Sequence, residues 1–163
     1  MSKHGFPNDD PFLNIQEDIK SVVGHEIGHS VMNHTYVLLA LTLANMFVMF
    51  FSFGFFENTD DVVVSFGYSE SNTFLRVQCF LAVYSAVIMP IFGVFMNSIT
   101  RRLEFQADAY SVGLGMDIRE ALIKISKKNK GDLNPDWMHS LYHLSHPPLL
   151  ERLDAVSLAL KKE

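Results

Sequence analysis

Two stretches without a single charged residue organise this chain. Thr35 to Phe56 and Val77 to Thr100 are dense in Leu, Phe, Val and Met. As helices, at about 1.5 Å per residue, each reaches roughly 30 Å, the thickness of a bilayer's hydrocarbon core. The pattern predicts membrane spans at 35–56 and 77–100 that form a hairpin. The competing reading is two buried core helices, and a chain of 163 residues is too short to wrap both on all sides. Pro90 and Gly93 predict a kink in the second span. Elsewhere apolar positions recur at helical spacing. They predict a helix running through 18–34 and unbroken into the first span, then helices at about 100–114, 117–129, 135–143 and 148–161. Asn14 is expected to cap the first helix with Glu17 as its capping-box partner. Asp117 and Glu120 suit the start of the 117–129 helix, Gly131 its end, and Pro135 a first helical position. Val62-Val63-Val64 is the one β-like run and is too short to matter. The fold class is therefore all-α membrane protein, in one domain over 1–163, with a C-terminal helical part at 116–163.

Charge sets the expected orientation. The loop from Glu57 to Arg76 carries Glu57, Asp60, Asp61 and Glu70 against one Arg, while Arg101 and Arg102 follow the second span and Lys20 precedes the first. Both chain ends then face the cytoplasm. A net charge of −5 with no basic run gives nucleic acid nothing to bind. Cys79 stands alone in an apolar stretch and is read as a small buried hydrophobe. The first 30 residues show no signal-peptide pattern, and the termini carry no lipidation motif.

Chemistry enters with His25-Glu26-Ile27-Gly28-His29. Two imidazoles four residues apart share a helix face and can hold one Zn²⁺, with the Glu between them able to reach a water. A hydrolytic zinc site takes three protein ligands and keeps one position open. A histidine six residues beyond His29 would complete one known pattern, but that position is Thr35. His34 falls one residue short and reads as a loose helix-face histidine. Glu104 is the better third ligand. With Asp108 it forms an i, i+4 pair on the far side of the hairpin, and Asp108 would accept the free N–H of a ligand histidine. Glu26 would serve as general base, with one Zn²⁺ per chain. The donor for a developing oxyanion is sought between His139 and His146. His139 and His143, also i, i+4, lack a third ligand for a second metal.

Three motifs now resemble one family. Val23-Gly24-His25-Glu26-Ile27-Gly28-His29, Arg101-Arg102-Leu103-Glu104-Phe105-Gln106-Ala107-Asp108 and Ser145-His146-Pro147-Pro148-Leu149-Leu150-Glu151-Arg152-Leu153 are similar to the CAAX prenyl protease 1 family of membrane M48 zinc metallopeptidases. The resemblance runs over about 18–160 and implies a gluzincin-type site, with zinc-site segments at 18–34 and 101–115. It implies a multi-pass endoplasmic reticulum membrane protein with its zinc on the cytoplasmic side, removing the C-terminal tripeptide of prenylated C-a-a-X proteins. His25, His29 and Glu104 match the family's zinc ligands, Glu26 its catalytic glutamate and Asp108 the carboxylate behind the ligands. His146 matches a transition-state stabiliser. Arg152 matches an arginine near the site, against its plainer reading as a charge on the last helix.

The family's members are longer, with seven membrane helices and a substrate-binding edge strand that Met1 to Pro11 does not resemble. The chain is thus expected to be a fragment, or to need a missing N-terminal portion or partner chain. The alternatives are a quality-control protease similar to HtpX, and an inactive zinc-binding membrane hairpin.

Overall fold

The computed structural model describes residues 11–58, 60–69, 72–130, 132–133 and 135–161. Met1 to Asp10 and Gly131, which bear on the missing strand and on a helix end, lie outside the described residues. Among those described, every regular element is helical: α1 Pro11–Val31, α2 His34–Phe56, α3 Asp60–Ser65, α4 Thr73–Val83, α5 Met89–Gly113, α6 Arg119–Asn129, α7 Trp137–His143 and α8 Leu149–Leu160.

α2 and the long helix Thr73–Gly113 are both long and apolar enough to cross a membrane. They differ from core helices in what they hide. Phe47, Phe50, Phe51 and Phe55 are each at least 60 % exposed. α2 packs on α4 and α5, and Tyr84 donates a 2.8 Å hydrogen bond to Asn45 Oδ1 between them.

The second apolar helix is continuous with the segment that carries Glu104. One wide π-helical turn, Tyr84–Ile88, joins α4 to α5. At the place of the expected kink the helix has this wide turn, just ahead of Pro90. A proline has no N–H to give and its ring crowds the carbonyl four residues back. The backbone widens instead, and the Met89 N–H reaches Tyr84 O, five residues back.

Three further expectations change, and the short β-like run is helical. α1 does not run into α2: it ends at Val31, and Asn33 takes a left-handed conformation at φ 58°, one that asparagine tolerates better than most residues. Val62 to Val64 form a helical turn within α3. α1 already begins at Pro11, so Asn14 lies inside it. α7 begins at Trp137, capped by the Asp136 carboxylate, which accepts from the N–H groups of Met138 and His139. Pro135 precedes it. Asp117 still accepts the Arg119 N–H at 3.1 Å, one position ahead of the N-cap Ile118.

Away from the spans, α1, α5, α6 and α8 enclose a core of Val112, Ile118, Ala121, Leu122 and Val156. α1 lies very close to α5. A Cβ on Gly28 would stand 3.1 Å from Tyr110 Cβ and 3.2 Å from Ala107 Cα; one on Gly24 would stand 3.1 Å from Ser111 Oγ. The Ser111 hydroxyl donates to Ser21 O at 2.9 Å across the same seam. Small residues on both sides let the backbones approach, and that approach carries the histidines of α1 to the carboxylates of α5.

Candidate metal centre

α1 presents His25 and His29 one turn apart, and α5 presents Glu104 and Asp108 one turn apart. Where the helices cross, the four side chains meet. His25 Nε2 and His29 Nε2 stand 3.1 Å apart. The Glu104 carboxylate lies 3.6 Å from the first, through Oε2, and 3.4 Å from the second, through Oε1. Donors at 2.0–2.1 Å from a tetrahedral ion are separated by about 3.3 Å, and these spacings lie close to that, with the two carboxylate distances ending on different oxygens. Two imidazole nitrogens and a carboxylate also suit zinc chemically. Among the described residues, His25, His29 and Glu104 are the one cluster of three such donors.

The surroundings prepare the donors. His25 Nδ1 is 2.9 Å from Asp108 Oδ1. Arg152 donates to the same carboxylate twice, Nε to Oδ2 at 2.8 Å and Nη2 to Oδ1 at 2.7 Å. It also comes within 3.5 Å of Glu104 Oε2. Burial holds His29 below the ordinary imidazole value of 6.5, against the pull of Glu104, which favours the neutral ring a metal needs. Glu104 lies a turn beyond the uncharged stretch. Burial pushes its carboxyl up, but the hydrogen bond from His146 and the charges of Arg152 and His25 outweigh that and hold it below 4.5.

His146 reaches the site from the loop between α7 and α8, with Nδ1 3.1 Å from Glu104 Oε2. Pro147 and Pro148 beside it are buried. Ties from α5 hold this region: Arg101 donates to Ser140 Oγ in α7 at 2.9 Å and to Glu151 Oε2 in α8 at 2.8 Å, and Asn97 Nδ2 donates to Tyr142 O in α7 at 2.8 Å. His25, Glu26, His29, Glu104, His146 and Arg152 line one open groove of about 690 Å³, walled on its apolar side by Val22, Leu38, Leu122 and Ile125. The His139 and His143 rings lie tilted against each other with centroids 4.8 Å apart, both exposed and outside this groove.

Two residues sit otherwise than their sequence positions suggest. Arg152 is not a solvated charge on the last helix, since its side chain is only 12 % exposed and lies between two acids. His34 is not a loose helix-face histidine. It is 2 % exposed, and its ring touches His29 and Gln106. No periodic signal marks these contacts. Only the break at Asn33 turns His34 inward.

Comparison with known proteins finds related sequences and a related structure. Residues 12–159 match the family model of peptidase family M48. The chain is 35 % identical over 152 residues to a CAAX prenyl protease 1 homolog of Taenia solium, covering 90 % of this chain and 32 % of that protein. It is 36 % identical to the Homo sapiens homolog, covering 86 % and 30 %. The crystal structure of S. mikatae Ste24p superposes with a TM-score of 0.73 at 29 % identity, over 85 % of this chain and 35 % of that one. The chain thus spans about a third of the length of the curated relatives it matches.

Proposed function

Because the chain belongs to peptidase family M48, we propose that it is the zinc-bearing part of a membrane endopeptidase that removes the C-terminal tripeptide of prenylated C-a-a-X proteins. The observation that carries this reading is the convergence of His25, His29 and Glu104 at spacings one ion can bridge, within an open groove. Those three residues hold one zinc ion. When bound, zinc supplies Lewis acidity, polarising a carbonyl and making water nucleophilic at neutral pH.

The remaining steps belong to the chain's own side chains. Asp108 accepts the His25 Nδ1–H and so leaves Nε2 free to ligate. Arg152 neutralises Asp108 and keeps it in place. Glu26, exposed on the groove, takes the proton of the attacking water and delivers it to the departing amine. His146 donates to the oxygen that gains charge as the amide bond is attacked. Loss of one such donor typically costs about 10²–10³ in rate.

The exposed phenylalanines of α2 support a lipid-embedded hairpin. Arg101 and Arg102 beyond the second span support a cytoplasmic zinc site. A resting place in the endoplasmic reticulum membrane belongs to the same reading, as does a single catalytic domain. One observation favours a second reading. The groove beside these residues is open, which supports a unit that binds zinc but cleaves only when further protein aligns the peptide.

The test is metal analysis and peptide hydrolysis on the detergent-purified chain. One zinc per chain and cleavage of a farnesylated C-a-a-X peptide, but not of an unfolded membrane protein, are expected. Preference for the unfolded protein would favour HtpX-like quality control. Zinc without cleavage would leave the second reading, and no zinc would sink both.

A further inference from the structure

His34 is the first residue of α2, and the left-handed Asn33 just before it turns its ring back onto α1. It is more thoroughly hidden than either candidate ligand histidine, at 2 % exposure against 8 % for His25. Both of its ring nitrogens are engaged. Nδ1 lies 2.9 Å from His29 Nδ1, and Nε2 lies 3.2 Å from Gln106 Oε1. The His29 and His34 rings meet edge-on, at an interplanar angle of 82°.

With the Gln106 amide oxygen turned toward His34, as it stands here, one arrangement of protons follows. A neutral imidazole has one donor and one acceptor nitrogen. The Gln106 amide oxygen can only accept, so the His34 proton sits on Nε2. His34 Nδ1 then carries a lone pair and accepts from His29 Nδ1–H. That leaves the lone pair of His29 on Nε2, the atom that faces His25 and Glu104.

We propose that His34, oriented by Gln106, is a positioning residue that holds His29 in the one tautomer able to ligate the metal. The proposal rests on the zinc reading above and deepens it. The two ligand histidines are then served by different partners. Asp108 steadies His25 with a carboxylate, while a neutral imidazole–amide pair steadies His29. The second pair fixes ring and tautomer without adding negative charge beside the ion, which preserves the ion's Lewis acidity.

The experiment measures zinc affinity of the full chain in detergent by competition with a chromogenic chelator. The variants are Gln106→Leu, Gln106→Glu and His34→Phe. Gln106 is exposed, so its variants keep the fold even if His34→Phe does not. Loss of a partner behind a ligand histidine weakens metal binding by about 10- to 100-fold, and Gln106→Leu is expected in that range. Gln106→Glu keeps an acceptor and is expected to bind at least as tightly as the parent. ¹⁵N-imidazole spectra supply a readout that packing alone would not move. They are expected to show His34 protonated at Nε2 and His29 at Nδ1, with the His29 assignment blurred in Gln106→Leu. Parent-like zinc affinity in Gln106→Leu, or a His34 proton on Nδ1 with the Gln106 amide donating, would overturn the proposal while leaving the zinc reading intact. A parent protein that binds no zinc would overturn both.

Discussion

Arg152 and Asp108 form a two-pronged ion pair, with N···O distances of 2.8 and 2.7 Å, and the Asp108 side chain is 1 % exposed. The pair joins α8 to α5 directly behind His25. Planar guanidinium and planar carboxylate match in geometry, which a lysine ammonium cannot reproduce. Arg152→Ala would leave a buried carboxylate with only His25 as partner. Loss of one side of a buried pair costs about 3–5 kcal/mol. Chemical unfolding is expected to register a loss of that order, with Arg152→Lys intermediate. Parent-like stability in Arg152→Ala would mean that the pair is solvated in solution.

The α1–α5 seam makes a second prediction. Gly28→Ala would place a methyl 3.2 Å from the backbone at Ala107, which cannot move without shifting α5. Overpacking of this kind costs about 1–3 kcal/mol, against a helix-propensity gain of about 1 kcal/mol. A net loss of stability and of zinc affinity is expected together, because the same displacement separates His29 from Glu104. Thermal melting and chelator competition would show both. A stabilised variant would contradict the close approach.

Glu26→Gln separates binding from chemistry. Glu26 is exposed and stands outside the donor cluster. The substitution is expected to leave stoichiometric zinc in place while lowering peptide hydrolysis by at least about 10²-fold, the low end of general-base contributions. The assay is run on the chain, or on the chain joined to the protein it needs for cleavage. Retained hydrolysis would assign the base elsewhere.

The His146–Glu104 pair makes stability depend on pH once metal is stripped by chelator. Its hydrogen bond to Glu104 raises His146 above 6.5, with burial opposing. That contribution is complete below 6.5 and disappears as pH rises through the folded value. The lowered Glu104 contributes above 4.5 and loses its part as pH falls through its own folded value. The pair therefore stabilises most between 4.5 and 6.5. His29, lowered by burial, works the other way, adding stability as pH rises. The informative measurement is thus the difference between the parent and His146→Gln. It is expected to be larger near about pH 5.5 than near about pH 8. It will be small, because the His146 side chain is 65 % exposed. An equal difference at both pH values would mean that the bond does not form in solution.

Much of this protein was legible in its sequence. Helical periodicity is local, so the pairs His25/His29 and Glu104/Asp108 could each be placed on one face from spacing alone, and the uncharged stretches announced α2 and the long helix after it. The sequence also determined that two distant pairs of metal-binding type exist on the same side of an apolar hairpin. Other features depended on contacts between residues far apart in the chain. Nothing in the spacing of Gly24 and Gly28 marks them as contacts, yet they are where α1 lies against α5. Arg152 has no periodic reason to point inward until Asp108 is placed beside it. The break at Asn33 carries no proline or glycine signal. Only the packed structure decides it, because an unbroken helix could not turn His34 back between His29 and Gln106. Spacing along one helix follows from fixed backbone geometry. The approach of two helices is set by the shapes and charges that meet between them, and those come together only when the chain has folded.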